Sequence, residues 1–142
     1  MIAKEIEAIF AGQDIGDGNV DGVLEAFDRL MASVTKADLP QLVAAIQSPR
    51  NNFWTRELFA EPICQLGGSD YLELLFEAAQ LGSDEGHDND GFNTHLIEIA
   101  SAEPKKCRAK LEELLARADF KHGEAANWLL EFCTTDNHDR RT

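Results

Sequence analysis

The chain has 142 residues, a length that fits one domain, and 44% of them are hydrophobic, enough to bury a continuous core without disulfides or a structural metal. Its 26 acidic residues outnumber its 13 basic residues and give a formal net charge of −13. Nucleic-acid backbones and anionic membranes would repel such a chain at physiological salt, so a basic protein is the natural partner.

Neither the N-terminus nor any later stretch predicts membrane insertion. The N-terminal sequence MIAKEIEAIF carries acids within its apolar pattern, and no stretch approaches the roughly 20 apolar residues that a membrane helix needs. The cysteines are odd in number and lack zinc-site spacing, which predicts free buried thiols at Cys64, Cys107 and Cys133. We expect a soluble, cytoplasmic protein.

Apolar residues recur at helical spacing through short segments that turn signals separate, and they almost never alternate as in a strand. The second predicted helix covers about residues 22–34, and the third follows Asp38, which can cap it, with Pro40 in its first turn. The first predicted helix covers about 2–11 and ends at the glycines that follow it, Gly12, Gly16 and Gly18.

The middle of the chain predicts two helices joined by a tight turn. The segment NFWTRELFAEPICQLGG predicts a fourth helix, which Pro62 should kink and which Gly67 and Gly68 end. Ser69 can then cap a fifth helix, DYLELLFEAAQLG. Two helices that meet across so short a turn are expected to pack antiparallel.

The C-terminal part predicts further helices and a tail. A sixth helix covers about 91–102, Pro104 begins a seventh, and an eighth covers about 121–133. Residues 134–142, TTDNHDRRT, predict a flexible tail because they offer no apolar anchor. The chain is predicted to be all-α, and consecutive antiparallel helix pairs favour a single domain over 1–133, a short α-solenoid of about eight helices.

Three stretches carry a resemblance to a known family: FWTRELFAEPICQLGG, SDYLELLFEAAQLGSDEGHDNDGFNTHLIEIA and HGEAANWLLEF. Over about residues 50–133 the chain resembles the short bacterial HEAT-like repeat proteins, in which an arginine-containing helix ends at a glycine pair and a polar GHDNDG loop opens the next repeat. Because such proteins are often encoded beside secreted toxins, the resemblance implies an immunity protein that binds and blocks one toxin. A HEAT-like scaffold or adaptor is the alternative that it leaves open.

Residues 17–28, DGNVDGVLEAFD, match several positions of a calcium-binding loop. Asp28 is one methylene shorter than the usual glutamate, and Gly12 and Gly16 interrupt the entering helix. The favoured alternative is an acidic connector in which Asp21 caps the second helix. No cofactor is therefore predicted, and a calcium-responsive module remains a minor hypothesis with these candidate ligands: Asp17, Asn19, Asp21 and Asp28.

The loop SDEGHDNDG, residues 83–91, gathers four acids and a histidine: Asp84, Glu85, His87, Asp88 and Asp90. A metal site could be drawn from the histidine and two carboxylates, but the spacing is not that of a calcium loop and only His95 could supply a second histidine. Two interpretations of residues 83–91 are equally favoured. The loop is either a solvated connector in which Asp90 caps the sixth helix, or a partner-binding loop.

Between Arg56 and Lys105 the sequence contains no lysine or arginine, although acids are frequent. An ordinary helical surface mixes both signs, because opposite charges four residues apart stabilise a helix. The segment therefore predicts a surface complementary to a basic protein, with acidic drift for solubility as the alternative. The predicted partner-binding residues are those of the loop and two acids before it: Asp84, Glu85, His87, Asp88, Asp90, Glu57 and Glu61.

No enzyme signature is present, since the sequence has no glycine-rich phosphate loop, no nucleophile elbow and no evident Ser/His/Asp set. Trp54 and Trp128 are at positions expected for the core or for a concave groove. The leading hypothesis is a cytoplasmic protein without catalytic residues that binds and neutralises a basic toxin domain, such as a nuclease.

Overall fold

The computed structural model of the protein describes residues 2–14, 20–86 and 88–133, and no strand occurs in these ranges. The all-α prediction is confirmed, while the solenoid arrangement stays a prediction. Short 3₁₀ turns at Lys36–Asp38 and Gly68–Tyr71 precede two of the helices. The helices are α1 (Ala3–Asp14), α2 (Val20–Ser33), α3 (Leu39–Ile46), α4 (Phe53–Gly67), α5 (Leu72–Asp84), α6 (Asp90–Ala102), α7 (Pro104–Ala116) and α8 (Gly123–Leu130).

The chain groups into two compact units, an N-terminal unit Met1–Leu66 and a C-terminal unit Gly67–Thr142. The predicted single domain over 1–133 stays a prediction. A single cooperative unfolding transition would support it. The predicted tail, 134–142, lies outside the described residues. Among the described helices, none has both the length and the apolar character that a membrane crossing requires.

In the N-terminal unit, α1 packs against α2. The two helices bury apolar residues at helical spacing, among them Ile9 and Phe10 from α1 and Val23, Ala26 and Leu30 from α2. The Phe10 ring lies 5.4 Å from the ring of Phe59, which brings α4 onto α1. The core of this unit is therefore built from helices that are distant in sequence.

The predicted end of the first helix is wrong, because α1 continues through Gly12 to Asp14. Gly12 is buried, and burial on this face outweighs the cost of about 1 kcal/mol for glycine in a helix. Gly16 and Gly18 lie outside the described residues.

Side-chain amides fix the corner between α3 and α4. The Asn51 side chain donates to the carbonyl oxygens of Ala45 and Ile46, at 2.6 and 3.1 Å, near the end of α3. Asn52 Oδ1 accepts the Thr55 N–H at 2.9 Å, and Thr55 Oγ1 accepts the Asn52 N–H at 3.0 Å. This reciprocal pair caps the N-terminus of α4. Helix α4 then runs through Pro62, as predicted.

In the C-terminal unit, α7 packs against both α6 and α8. The half-buried carboxylate of Glu103 joins the corner between α6 and α7 to the start of α5. Glu103 Oε2 accepts the Ser69 N–H at 2.8 Å and also accepts the Ser69 hydroxyl. Gly68, with φ of +60°, lets the backbone approach, since a Cβ there would lie 2.7 Å from Glu103 Oε2.

The predicted capping role of Ser69 is therefore wrong. Ser69 is buried within the 3₁₀ turn and donates to Glu103 rather than capping α5. Its acceptor, Glu103, is 34 positions away along the chain. The residues next to Ser69 in the sequence therefore could not predict this contact.

Replacing Glu103 with Ala should lower the free energy of unfolding by about 1–3 kcal/mol, because the buried Ser69 N–H and hydroxyl lose their acceptor. The matched control is Glu112→Ala, at an exposed position of α7, which should change it by less than about 0.5 kcal/mol. Urea unfolding followed by circular dichroism measures both. Equal unfolding midpoints for the two variants would contradict this role of Glu103.

Candidate functional site

The predicted partner-binding loop connects α5 to α6 in the C-terminal unit. Asp84 is the last residue of α5, Glu85 follows it, Asp88 precedes α6 and Asp90 is the first residue of α6. All four side chains are exposed, and together they are called the acidic loop below. His87 lies outside the described residues.

Asn89 holds this loop against α5. Its side-chain amide donates to the Ala79 carbonyl oxygen at 2.7 Å and to Ser83 Oγ at 2.9 Å. Its backbone has φ of 63°, a left-handed conformation that asparagine tolerates better than most residues. A Cβ at Gly82 would lie 2.6 Å from Asn89 Oδ1, so glycine at 82 makes room for the amide. The loop is therefore fastened to the last turns of α5.

Asn89, and not Asp90, is the N-cap residue of α6, so the predicted capping role of Asp90 is wrong. Asp90 instead donates its backbone N–H to Asp88 Oδ1 at 3.0 Å. An asparagine just before a helix is a recognisable N-terminal signal. Its attachment to α5, however, depends on the tertiary structure.

Two acids of the lysine- and arginine-free segment are neutralised by cations that come later in the chain. Arg117 donates to both carboxylate oxygens of Glu73, at 2.8 and 2.9 Å, and this hydrogen bond lowers the pKa of Glu73 below its ordinary value. Lys106 Nζ lies 3.6 Å from Asp70 Oδ2. Arg117 follows Glu73 by 44 residues, so the pairing is invisible in the sequence.

Four other acids of the same segment differ from Asp70 and Glu73. Within the part of the chain that the structure describes, no lysine or arginine pairs with Glu77, Asp84, Asp88 or Asp90. Leu81, one of the large apolar residues left exposed at 48%, lies one helical turn from Glu77 on α5. Negative charge and an apolar side chain thus share one edge of the C-terminal unit.

A groove of about 530 Å³ lies beside this edge, lined by residues of α5, α6 and the start of α8. Half-buried Trp128 lines it, and its ring meets the Phe132 ring edge-on at 5.2 Å. Phe76 lines it from α5, and the Phe120 ring lies 6.3 Å from the Phe76 ring. Trp128 therefore lies in a groove, one of the two positions expected for it.

Charged groups from separate elements reach the groove. Asp88 comes from the acidic loop, Glu124 from the first turn of α8, and Lys121 from the connection before α8. All three side chains are exposed. Amide side chains, including that of Asn93, complete a lining that can donate and accept hydrogen bonds.

The remaining predicted partner-binding residues, Glu57 and Glu61, lie on α4 in the N-terminal unit. Both are half-buried, and Glu61 accepts a hydrogen bond from Gln65 Nε2 at 3.4 Å. The loop acids and Glu77 therefore belong to the C-terminal unit, while Glu57 and Glu61 belong to the N-terminal unit.

The second half of the proposed calcium loop is helical. Helix α2 begins at Val20, so Asp21 lies in its first turn rather than at the cap, where a carboxylate still favours the helix dipole. Asp28 follows seven residues later on the same helix, about 10 Å along its axis. Asp17 and Asn19 lie outside the described residues. Among described residues, no cluster of three or more His, Cys, Asp or Glu side chains could hold a metal.

The thiols are free and buried, as predicted: Cys64, Cys107 and Cys133. Burial raises the pKa of both Cys107 and Cys133 above the ordinary value. A thiolate is the reactive form of cysteine, so these two side chains act as apolar core groups.

No protein-family model, curated protein or solved structure matches the chain. The HEAT-like, toxin-immunity resemblance accordingly stays a prediction.

Replacing Glu73 with Gln should lower the melting temperature slightly at pH 7 and not at low pH. The folded state lowers the pKa of Glu73, so the ionised carboxylate stabilises the fold above the unfolded value of about 4.3. That contribution is lost as the pH falls through the lowered pKa. Thermal melts of wild type and variant across acid pH measure it, with Glu112→Gln as control. A difference that stays constant with pH would contradict the pairing.

Replacing Asn89 with Ala should cost about 2–3 kcal/mol of stability, because the variant loses two hydrogen bonds and because alanine tolerates the left-handed region less well than asparagine. Asn89→Gly keeps that backbone accessible and should lose about 1 kcal/mol less. Urea unfolding of the two variants separates the backbone contribution from the hydrogen bonds. Wild-type stability in both variants would show that Asn89 does not hold the loop.

Proposed function

We propose that this protein is a protein-binding module that neutralises a basic partner, with the acidic loop of the C-terminal unit as its contact edge. The main support for this proposal is that some acids of this unit pair with cations and others do not. Asp70 and Glu73 are paired with cations, whereas Asp84, Asp88 and Asp90 face solvent without a lysine or arginine partner among the described residues. Three acids without such a partner therefore lie close together in the sequence, within residues 84–90.

Such a concentration has a specific physical use. Exposed like charges on one edge create a field that speeds the approach of an oppositely charged protein and repels acidic competitors. Exposed charges gain little affinity by themselves, since water and salt screen them. The exposed Leu81 and the groove lined by Trp128 supply apolar surface that a partner could bury.

The partner that fits best is a basic toxin domain, and the protein would then be its immunity protein. The resemblance to bacterial HEAT-like repeat proteins supports this assignment, as does the net charge of −13. A nuclease is a natural candidate, because its nucleic-acid-binding face is basic. An acidic edge that covers this face would exclude the substrate. An adjacent toxin-like open reading frame would favour this assignment over a HEAT-like scaffold.

Replacing the four acids of the loop with Lys should abolish protection while leaving the fold intact. Exposed loop charges contribute little to stability, so helical content and melting temperature should change little. The association rate with the product of an adjacent toxin-like gene should fall about tenfold or more at low salt and lose its salt dependence. Surface plasmon resonance over a salt series measures the rate, and cell survival with matched protein abundance measures protection.

A matched control reverses the same number of exposed acids elsewhere: Glu25, Asp28, Glu112 and Glu131. It changes the net charge equally and should retain most of the association rate at each salt concentration. If the loop variant protects as well as wild type, the loop is a solvated connector. The interface would then lie around Arg108, Arg117 and Lys121.

A further inference from the structure

We propose that the groove beside the acidic loop is the anchor pocket for an arginine side chain of the partner. This inference rests on the proposed function, because it names the group that the partner would insert. The acidic loop would set how fast the partner arrives, and the groove would set how long it stays.

Charge complementarity selects a cation. Asp88 and Glu124 line the groove from two different elements. Among the described residues, neither carboxylate pairs with a lysine or arginine. A cation in the groove would be attracted by both carboxylates. An acidic side chain would be repelled by these carboxylates, and an uncharged side chain would not be attracted by their charge.

The aromatic wall favours arginine over lysine. A guanidinium is planar and stacks on aromatic faces, and indole is the strongest aromatic partner for a cation. Half-buried Trp128 supplies an indole to the groove, whereas Phe76, which also lines it, is only 2% exposed and forms its floor. The guanidinium also has several N–H donors, which match the amide oxygens of residues such as Asn93 better than the compact lysine ammonium does.

Lys121 allows the sign of the charge bound in the groove to be tested. Its side chain also lines the groove and is exposed, so it opposes a cationic occupant and would assist an anionic one. Removing its charge should therefore strengthen the binding of an arginine side chain. Removing the charge of Glu124 should weaken it.

The experiment titrates the intact protein with the peptide acetyl-Gly-Arg-Gly-amide and with the same peptide containing citrulline, an uncharged isostere of arginine. Binding is followed by the indole N–H resonance of Trp128, assigned with Trp128→Phe. The citrulline peptide should bind about tenfold more weakly, because it lacks the charge-assisted hydrogen bonds. The corresponding lysine peptide should fall between the two.

Three variants complete the test. Glu124→Gln should weaken the arginine peptide by about threefold, and Lys121→Gln should strengthen it by about twofold. Glu112→Gln, exposed on α7 and outside the groove, should leave it unchanged. All three are exposed positions, so the fold is expected to tolerate each change.

The outcomes separate this inference from the proposed function. The arginine pocket is overturned if the arginine and citrulline peptides bind equally, or if Lys121→Gln binds the arginine peptide more weakly than wild type. The charge-reversal result for the acidic loop would then still stand. Conversely, if charge reversal of the loop leaves protein association unchanged but the arginine peptide binds with the expected signs, the pocket stands and the acidic loop is not the contact edge.

Discussion

The hydrogen bonds from buried Ser69 to half-buried Glu103 are the constraint on which the C-terminal unit depends. They tie the turn before α5 to the corner between α6 and α7, and Gly68 is needed there because any Cβ would collide with the carboxylate. A buried donor without its acceptor costs more than an ordinary hydrogen bond contributes, so this corner can adopt few other arrangements. Helices α5, α6 and α7 contact the turn that carries Ser69, and α8 packs against α6 and α7.

The cations of this unit then determine where its negative charge remains. Arg117 binds Glu73 through two parallel hydrogen bonds, and Lys106 lies near Asp70. Screened surface pairs of this kind add little to stability, but they cancel charge locally. Within the described part of the lysine- and arginine-free segment, Glu77, Asp84, Asp88 and Asp90 have no lysine or arginine partner. Exposed acids without a cation partner on one loop make the local potential negative, which under the proposed function would favour the approach of a basic protein.

Asn89 gives the acidic loop a defined shape. Two hydrogen bonds to the last turns of α5 and a left-handed backbone hold it, and Gly82 leaves room for its amide. A loop that is already ordered loses less conformational entropy when a partner binds. The groove beside it is bordered by the rings of Phe76 and Trp128, which are held by neighbouring aromatic side chains. A preformed edge next to a preformed groove is consistent with recognition of one partner.

The sequence by itself determined the secondary structure and the overall charge. The spacing of apolar residues predicted the helices, and Pro104 was correctly predicted as the first residue of α7. The sequence has no recognisable catalytic or metal-site spacing, which favoured a binding function over catalysis. Local rules failed at Gly12, Ser69 and Asp90, where the tertiary structure gives the residue a different role from the one its neighbours suggest. Only the tertiary structure decided which acids remain unpaired and that Trp128 lines a groove. The physical reason is that partners such as Ser69 and Glu103, 34 residues apart, or Glu73 and Arg117, 44 residues apart, meet only when the helices pack.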